Sequence, residues 1–127
     1  MNEPKYFTLE EARSTLPLVT RIAEDINRIV AQLRGVPGGV AFLHGALPEE
    51  RLPLETRDDA LQLREELEAL AEELMEIGAE LKGLQPVLVD FRSRRDDQDI
   101  YLCWELGEPD ILFWHTLADG YQGRQPL

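Results

Sequence analysis

The sequence predicts an α+β fold: a long antiparallel helical hairpin followed by a small three-stranded antiparallel meander. Three observations predict it. Two segments place apolar residues every three or four positions, the pattern changes to two-residue alternation after Pro86, and 127 residues suffice for one core but not two. The chain is therefore expected to be a single domain over residues 1–127, with the hairpin at 8–84 and the meander and tail at 86–127.

The first helix opens on Thr8-Leu9-Glu10-Glu11. In this capping box the Thr8 hydroxyl accepts from the amide three residues on and Glu11 reaches back to the cap amide. Leu9, Ala12, Leu16, Val19, Ile22, Ala23, Ile26, Ile29, Val30 and Leu33 then share one wide face, as a covered helix requires. Pro17 cannot donate to the carbonyl of Arg13, so a kink is expected there, without a break because the apolar phase continues. Gly35, Pro37, Gly38 and Gly39 supply the stop. From Gly35 to Pro53 the chain reads as a long connection, either a functional lid or poorly ordered. His44 within it has no carboxylate or thiol at ligand spacing and reads as solvent-facing.

The second helix carries Ala60, Leu63, Leu67, Leu70, Leu74, Ile77, Leu81 and Leu84 in alternating steps of three and four, the seam of a coiled coil or long bundle helix. Thr56 is its expected cap. Glu66, Glu73 and Glu80 line one edge, and on the first helix Arg21 and Arg28 flank the apolar stripe at the same spacing of seven. That complementarity pairs the two helices as an antiparallel hairpin. Exposed ion pairs contribute only about 0.2–1 kcal/mol each, so they select the partner rather than hold it.

Beyond Pro86, strands are expected at 87–91, 99–105 and 110–116, with a charged turn at 94–97 and a second turn at 106–109, where glycine and proline separate runs of aromatic and β-branched residues. Centring that turn on Gly107 and Glu108 pairs Cys103 with Leu112 and Tyr101 with Trp114 on one face. It pairs Trp104 with Ile111, Leu102 with Phe113 and Ile100 with His115 on the other. In this register Cys103 and His115 lie on opposite faces and are poor partners for one zinc ion. Trp104 and Trp114 also point apart, one into the core and the other toward a contact surface.

Composition narrows the function classes. Twenty-five acidic against thirteen basic side chains give a net charge of -12, which repels phosphate backbones and anionic headgroups, so neither nucleic acid nor membrane is an expected partner. A nucleic-acid mimic rests on the charge alone, which solvated glutamates on an amphipathic helix explain equally. A single cysteine excludes an internal disulfide, and no apolar run is long enough for a membrane span or signal segment, so a cytoplasmic location is expected.

The chemistry-bearing residues crowd between Asp99 and Asp119. Glu105, Glu108 and Asp110 meet at the turn, and carboxylates this close need a cation, an arginine or a shared proton. Arg124 is the nearest unassigned cation, and its forked donors suit a clasp that pins the tail. Cys103 reads as a small buried hydrophobe rather than a nucleophile. His115 reads either as a half-buried ring anchored by a carboxylate or as a proton donor beside Asp119.

The stretch LCWELGEPDILFWH, followed by DGYQGR, resembles the bacterial domain-of-unknown-function family 2203, as do the opening YFTLEEA, the LP of the first helix and VDF. The resemblance covers nearly the whole chain, and its pattern falls on Asp90, Phe91, Cys103, Trp104, Gly107, Glu108, Ile111, Trp114, His115, Gly123 and Arg124. Arg92 stands where similar proteins commonly carry proline, which leaves the end of that strand open to difference. The family implies no established reaction.

Two functional expectations follow. The first is a non-enzymatic module that forms a homo-oligomer, a dimer through its helices, because the seam of the second helix exceeds what one helix and three short strands cover. Its meander would bind a partner or small molecule through Trp104, Glu105, Glu108, Trp114, His115 and Arg124. The second is a metal-binding protein or metal-dependent hydrolase with Glu108, His115 and Asp119 as ligands and Glu105 as outer base, an oxygen-rich set favouring manganese, magnesium or iron. No cofactor is identified by either reading.

Overall fold

The computed structural model describes residues 3–127. Its elements are α1 (Leu9–Arg34), α2 (Gly39–Leu43), α3 (Leu54–Ile77), β1 (Glu80–Leu84), β2 (Val87–Arg95), β3 (Gln98–Glu105), β4 (Phe113–Thr116) and β5 (Gln125–Pro126), with 3-10 turns at Glu49–Arg51 and Tyr121–Gly123. The strands form one sheet in the order β1-β2-β3-β4-β5, each neighbouring pair antiparallel. The class is α+β, helices before an antiparallel sheet, with five strands where three were expected.

The Thr8 Oγ1 accepts from the Glu11 amide at 3.0 Å and Glu11 Oε1 accepts from the Thr8 amide at 2.8 Å, closing the capping box. The 26 residues of α1 then run unbroken through Pro17. Eight apolar side chains of α1 are buried, each worth about 1.5–3 kcal/mol for the larger ones, and α1 packs against both α3 and the strands β1 and β2.

The connection from Gly35 to Pro53 is folded rather than loose. Phe42 and Leu52 are buried within it, and the Arg64 guanidinium of α3 lies 4.4 Å from the Phe42 ring centroid. Gly39 sits so close to α1 that a Cβ would stand 2.1 Å from the Leu33 carbonyl oxygen. His44, the residue that ends α2, is exposed.

Both ends of α3 differ from expectation. Pro53, not Thr56, precedes the helix, and Thr56 sits inside the first turn with its hydroxyl 3.4 Å from the Pro53 carbonyl oxygen. At the other end Gly78 adopts φ 99°, and the amides of Gly78 and Ala79 both reach the Leu74 carbonyl, at 3.1 and 3.0 Å. This left-handed stop ends the helix at Ile77. Leu81 and Leu84 therefore belong to β1, and Glu80 leaves the glutamate edge to pair opposite Asp90.

The β2–β3 hairpin turns at Asp96 and Asp97, with φ 51° and 63°, the doubly left-handed form that matches strand twist. β2 continues past Phe91 to Arg95, and the Arg92 carbonyl accepts from the Phe7 amide at 2.7 Å. The core face of the sheet carries Val87, Val89, Phe91, Ile100, Leu102 and Trp104, all buried with the apolar face of α1.

Candidate functional site

The β3–β4 ladder pairs Ile100 with Thr116, Tyr101 with His115, Leu102 with Trp114 and Cys103 with Phe113, one residue away from the expected register. A one-residue slip reverses every facing relation. The cause lies in residues 106–112, which form a wide loop instead of a tight turn. The Glu108 carboxylate folds back to accept from the Glu105 amide at 2.7 Å, and Asp110 accepts from the Ile111 amide at 2.7 Å. The strand thus resumes at Phe113 rather than Asp110.

Trp104 and Trp114 accordingly share the core face instead of pointing apart. Trp104 is fully buried, its indole N–H donating to the Glu108 carbonyl at 3.1 Å. Trp114 is half-buried against the same core, with the Arg95 guanidinium 4.7 Å from its ring centroid. The outer face takes Asp90, Cys103 and Phe113 in one row and Arg92, Tyr101 and His115 in the next. Cys103 and His115 are therefore on the same face, contrary to expectation.

Two polar assemblies occupy that face and its margin. In the first, Arg124 Nη2 donates to Glu108 Oε1 and Oε2 at 2.6 and 2.8 Å, and Nη1 lies 3.7 Å from Glu105 Oε1. The Tyr121 hydroxyl donates to the same Glu105 oxygen at 2.8 Å, and the guanidinium stacks 4.2 Å from the Phe113 ring centroid. This is an arginine–carboxylate clasp that fastens the tail to the sheet. Asp110 is not part of it: Arg13 of α1 takes Asp110 Oδ1 at 3.1 Å and the Ile111 carbonyl at 3.1 Å.

In the second assembly His115 Nε2 stands 2.9 Å from Asp90 Oδ2, and Nδ1 stands 2.8 Å from the Thr116 carbonyl oxygen. A carbonyl only accepts, so Nδ1 carries a proton and Nε2 faces the carboxyl group. A 2.9 Å nitrogen-to-oxygen contact then needs one proton between the two atoms. Burial pushes the Asp90 carboxyl above its ordinary range, while His115 draws it partly back. Cys103 completes the group, and ligand atoms of Asp90, Cys103 and His115 all lie within 4.8 Å of one another.

This geometry decides between chemistries. Both nitrogens of His115 are engaged, so the ring cannot serve as base to the thiol. Burial, then the Asp90 charge, push the Cys103 thiol up to about 12, which removes the thiolate a nucleophile needs. The expected metal set of Glu108, His115 and Asp119 does not converge: Glu108 is committed to Arg124, and the ligand atoms that gather around His115 come from Asp90 and Cys103 instead. Asp119 is exposed, its amide on Thr116 Oγ1 at 3.1 Å. Its side chain packs on Gly123, where a Cβ would stand 2.4 Å from Asp119 Cβ. A cleft of about 630 Å3 lies elsewhere, lined by Tyr6, Phe7, Arg94, Arg95, Ile100 and Leu127 among others.

Asp90 is the residue that strand spacing alone did not single out, though the VDF signature marked it. Its role depends on the β2–β3–β4 register.

Comparison with known proteins adds one finding. The family model described as "Uncharacterized conserved protein (DUF2203)" matches residues 5–127, and the chain belongs to that family. Neither the curated proteins nor the solved structures yield a significant match.

Proposed function

We propose that this DUF2203 member is a self-associating binding module of the cytoplasm, in which α1 and α3 form an antiparallel hairpin and two copies close into a four-helix dimer. The observation that carries this reading is an uncovered groove along the α1–α3 seam. It is lined by Arg28, Gln32 and Val36 beside Asp59, Leu63 and Glu66. Farther along come Ile29 beside Leu70 and Glu73, and then Leu18 and Ile22 beside Glu73 and Ile77. The numbers descend on α1 as they rise on α3, which supports the antiparallel course.

The seam of α3 is half covered. Ala60, Leu67 and Leu74 are buried, whereas Leu63, Leu70 and Ile77, three residues on from each, remain partly open. A second copy is the occupant that suits this groove. Its α3 edge carries Glu66 and Glu73, and its α1 edge carries Arg28, held to Asp25 at 3.0 Å; a two-fold arrangement sets Arg28 against the partner's glutamates. Among the described residues no helix is long and apolar enough to cross a membrane. The lone cysteine is a free, buried thiol, which supports a reducing compartment.

Sedimentation or light scattering at tens of micromolar tests the reading. A dimer is expected, and Leu70→Glu, which places a carboxylate in the groove floor, is expected to return it to monomer with the helical signal intact. A monomeric wild-type chain overturns the proposal.

A further inference from the structure

We infer that Asp90, Cys103 and His115 form a closed site for one zinc-class dication, held by Asp90 Oδ1, Cys103 Sγ and His115 Nε2. The three residues project from adjacent strands, β2, β3 and β4, onto one face. Each is buried, at 2%, 1% and 3% exposure respectively. One ligand atom from each already lies within 4.8 Å of those of the other two. A tetrahedral ion with ligand bonds of about 2.0–2.3 Å needs its ligands about 3.5 Å apart.

Three further features favour an ion at this position. Asp90 Oδ1 is buried with no nitrogen or oxygen donor on it among the described residues, and only the weakly donating Cys103 thiol faces the carboxyl besides His115, an arrangement that costs stability and suits an ion or water. His115 Nδ1 is tied to the Thr116 carbonyl at 2.8 Å, the outer contact that fixes a metal-binding imidazole and leaves Nε2 to the metal. A thiolate and a carboxylate together bring two negative charges, so a dication bound here leaves the site neutral. On loading, the thiol proton and the proton held between Asp90 and His115 leave to solvent.

The donor set also selects the ion. Sulfur and nitrogen beside a single carboxylate oxygen suit zinc and exclude magnesium and calcium, which take oxygen ligands. This differs from the oxygen-rich set read from the sequence. With every ligand buried, the ion's role is to tie three strands together, its fourth position filled by water or the second Asp90 oxygen.

Cobalt(II) is the probe, titrated into the reduced, metal-stripped full chain. One equivalent is expected to bind with a sulfur-to-cobalt charge-transfer band in the near ultraviolet, to be displaced by zinc, and to raise the melting temperature. Cys103→Ser is expected to lose the band, and His115→Gln to bind at least about tenfold more weakly. Failure of the natively folded wild-type chain to take up one equivalent overturns the inference. So does undiminished affinity in Cys103→Ser, which would locate the ion elsewhere. The absorption readout does not depend on oligomeric state, so this site and the helical dimer stand or fall separately.

Discussion

The clasp at Arg124 is the tightest charge contact on the outer face. Its guanidinium side chain is 13% exposed and the Glu108 carboxylate 18% exposed, so solvent screens the pair less than it would a surface bridge. Removing the cation strands Glu108 beside Glu105 and releases the tail. Arg124→Met is expected to lower stability by about 2 kcal/mol, a fall in melting temperature of roughly 6–10 °C for a domain of this size. Arg124→Lys should recover only part of that, since an ammonium can hold Glu108 but cannot also reach Glu105 and stack on Phe113 as the planar guanidinium does. Equal melting of Arg124→Met and wild type would show the contact to be idle. This clasp was legible in the sequence because crowded carboxylates at a turn demand a cation and Arg124 was the nearest one. The Asp90–His115 contact was not, because it spans β3 diagonally and exists only in the true register.

At the scale of elements, boundaries set by apolar spacing were legible where a local signal agreed with it. Thr8 and Glu11 mark the start of α1, and the period change near Pro86 marks the start of β2, whereas β1 lies before it. The end of α3 was misread because Leu81 and Leu84 keep the seven-residue spacing, and periodicity is blind to one left-handed glycine. The β3–β4 register was misread for a related reason. Glu108 and Asp110 satisfy loop amides with their carboxylates, which lengthens the connection by a route that composition does not reveal. Gly78 tests the first explanation. A Cβ there would lie 2.9 Å from Lys5 Cδ and 3.3 Å from Phe7 Cζ, at φ 99°. Gly78→Ala is therefore expected to cost about 1–2 kcal/mol, from left-handed strain alone, read as a lower urea midpoint with unchanged slope. A neutral result would mean that the helix stop is set by β1 pairing rather than by the glycine.

For the whole molecule, net charge works against the groove. Two copies at -12 each, with centres ~30 Å apart, repel by on the order of 20 kcal/mol in unscreened water. Ion screening with a Debye length of about 10 Å at 0.1 M salt reduces this to on the order of 1 kcal/mol, whereas about 30 Å at 0.01 M leaves several times more. The rim pairs of Arg28 with Glu66 and Glu73 contribute about 0.2–1 kcal/mol each, too little to offset the larger figure. Apolar contact along Leu63, Leu70 and Ile77 must then drive association, and salt must strengthen it. The dimer is expected to dissociate at 0.01 M salt and re-form near 0.1 M, as measured by sedimentation across that range. An interface held by its rim charges would show the opposite slope, weakening as salt rises, and that slope would locate the contact away from the helical groove.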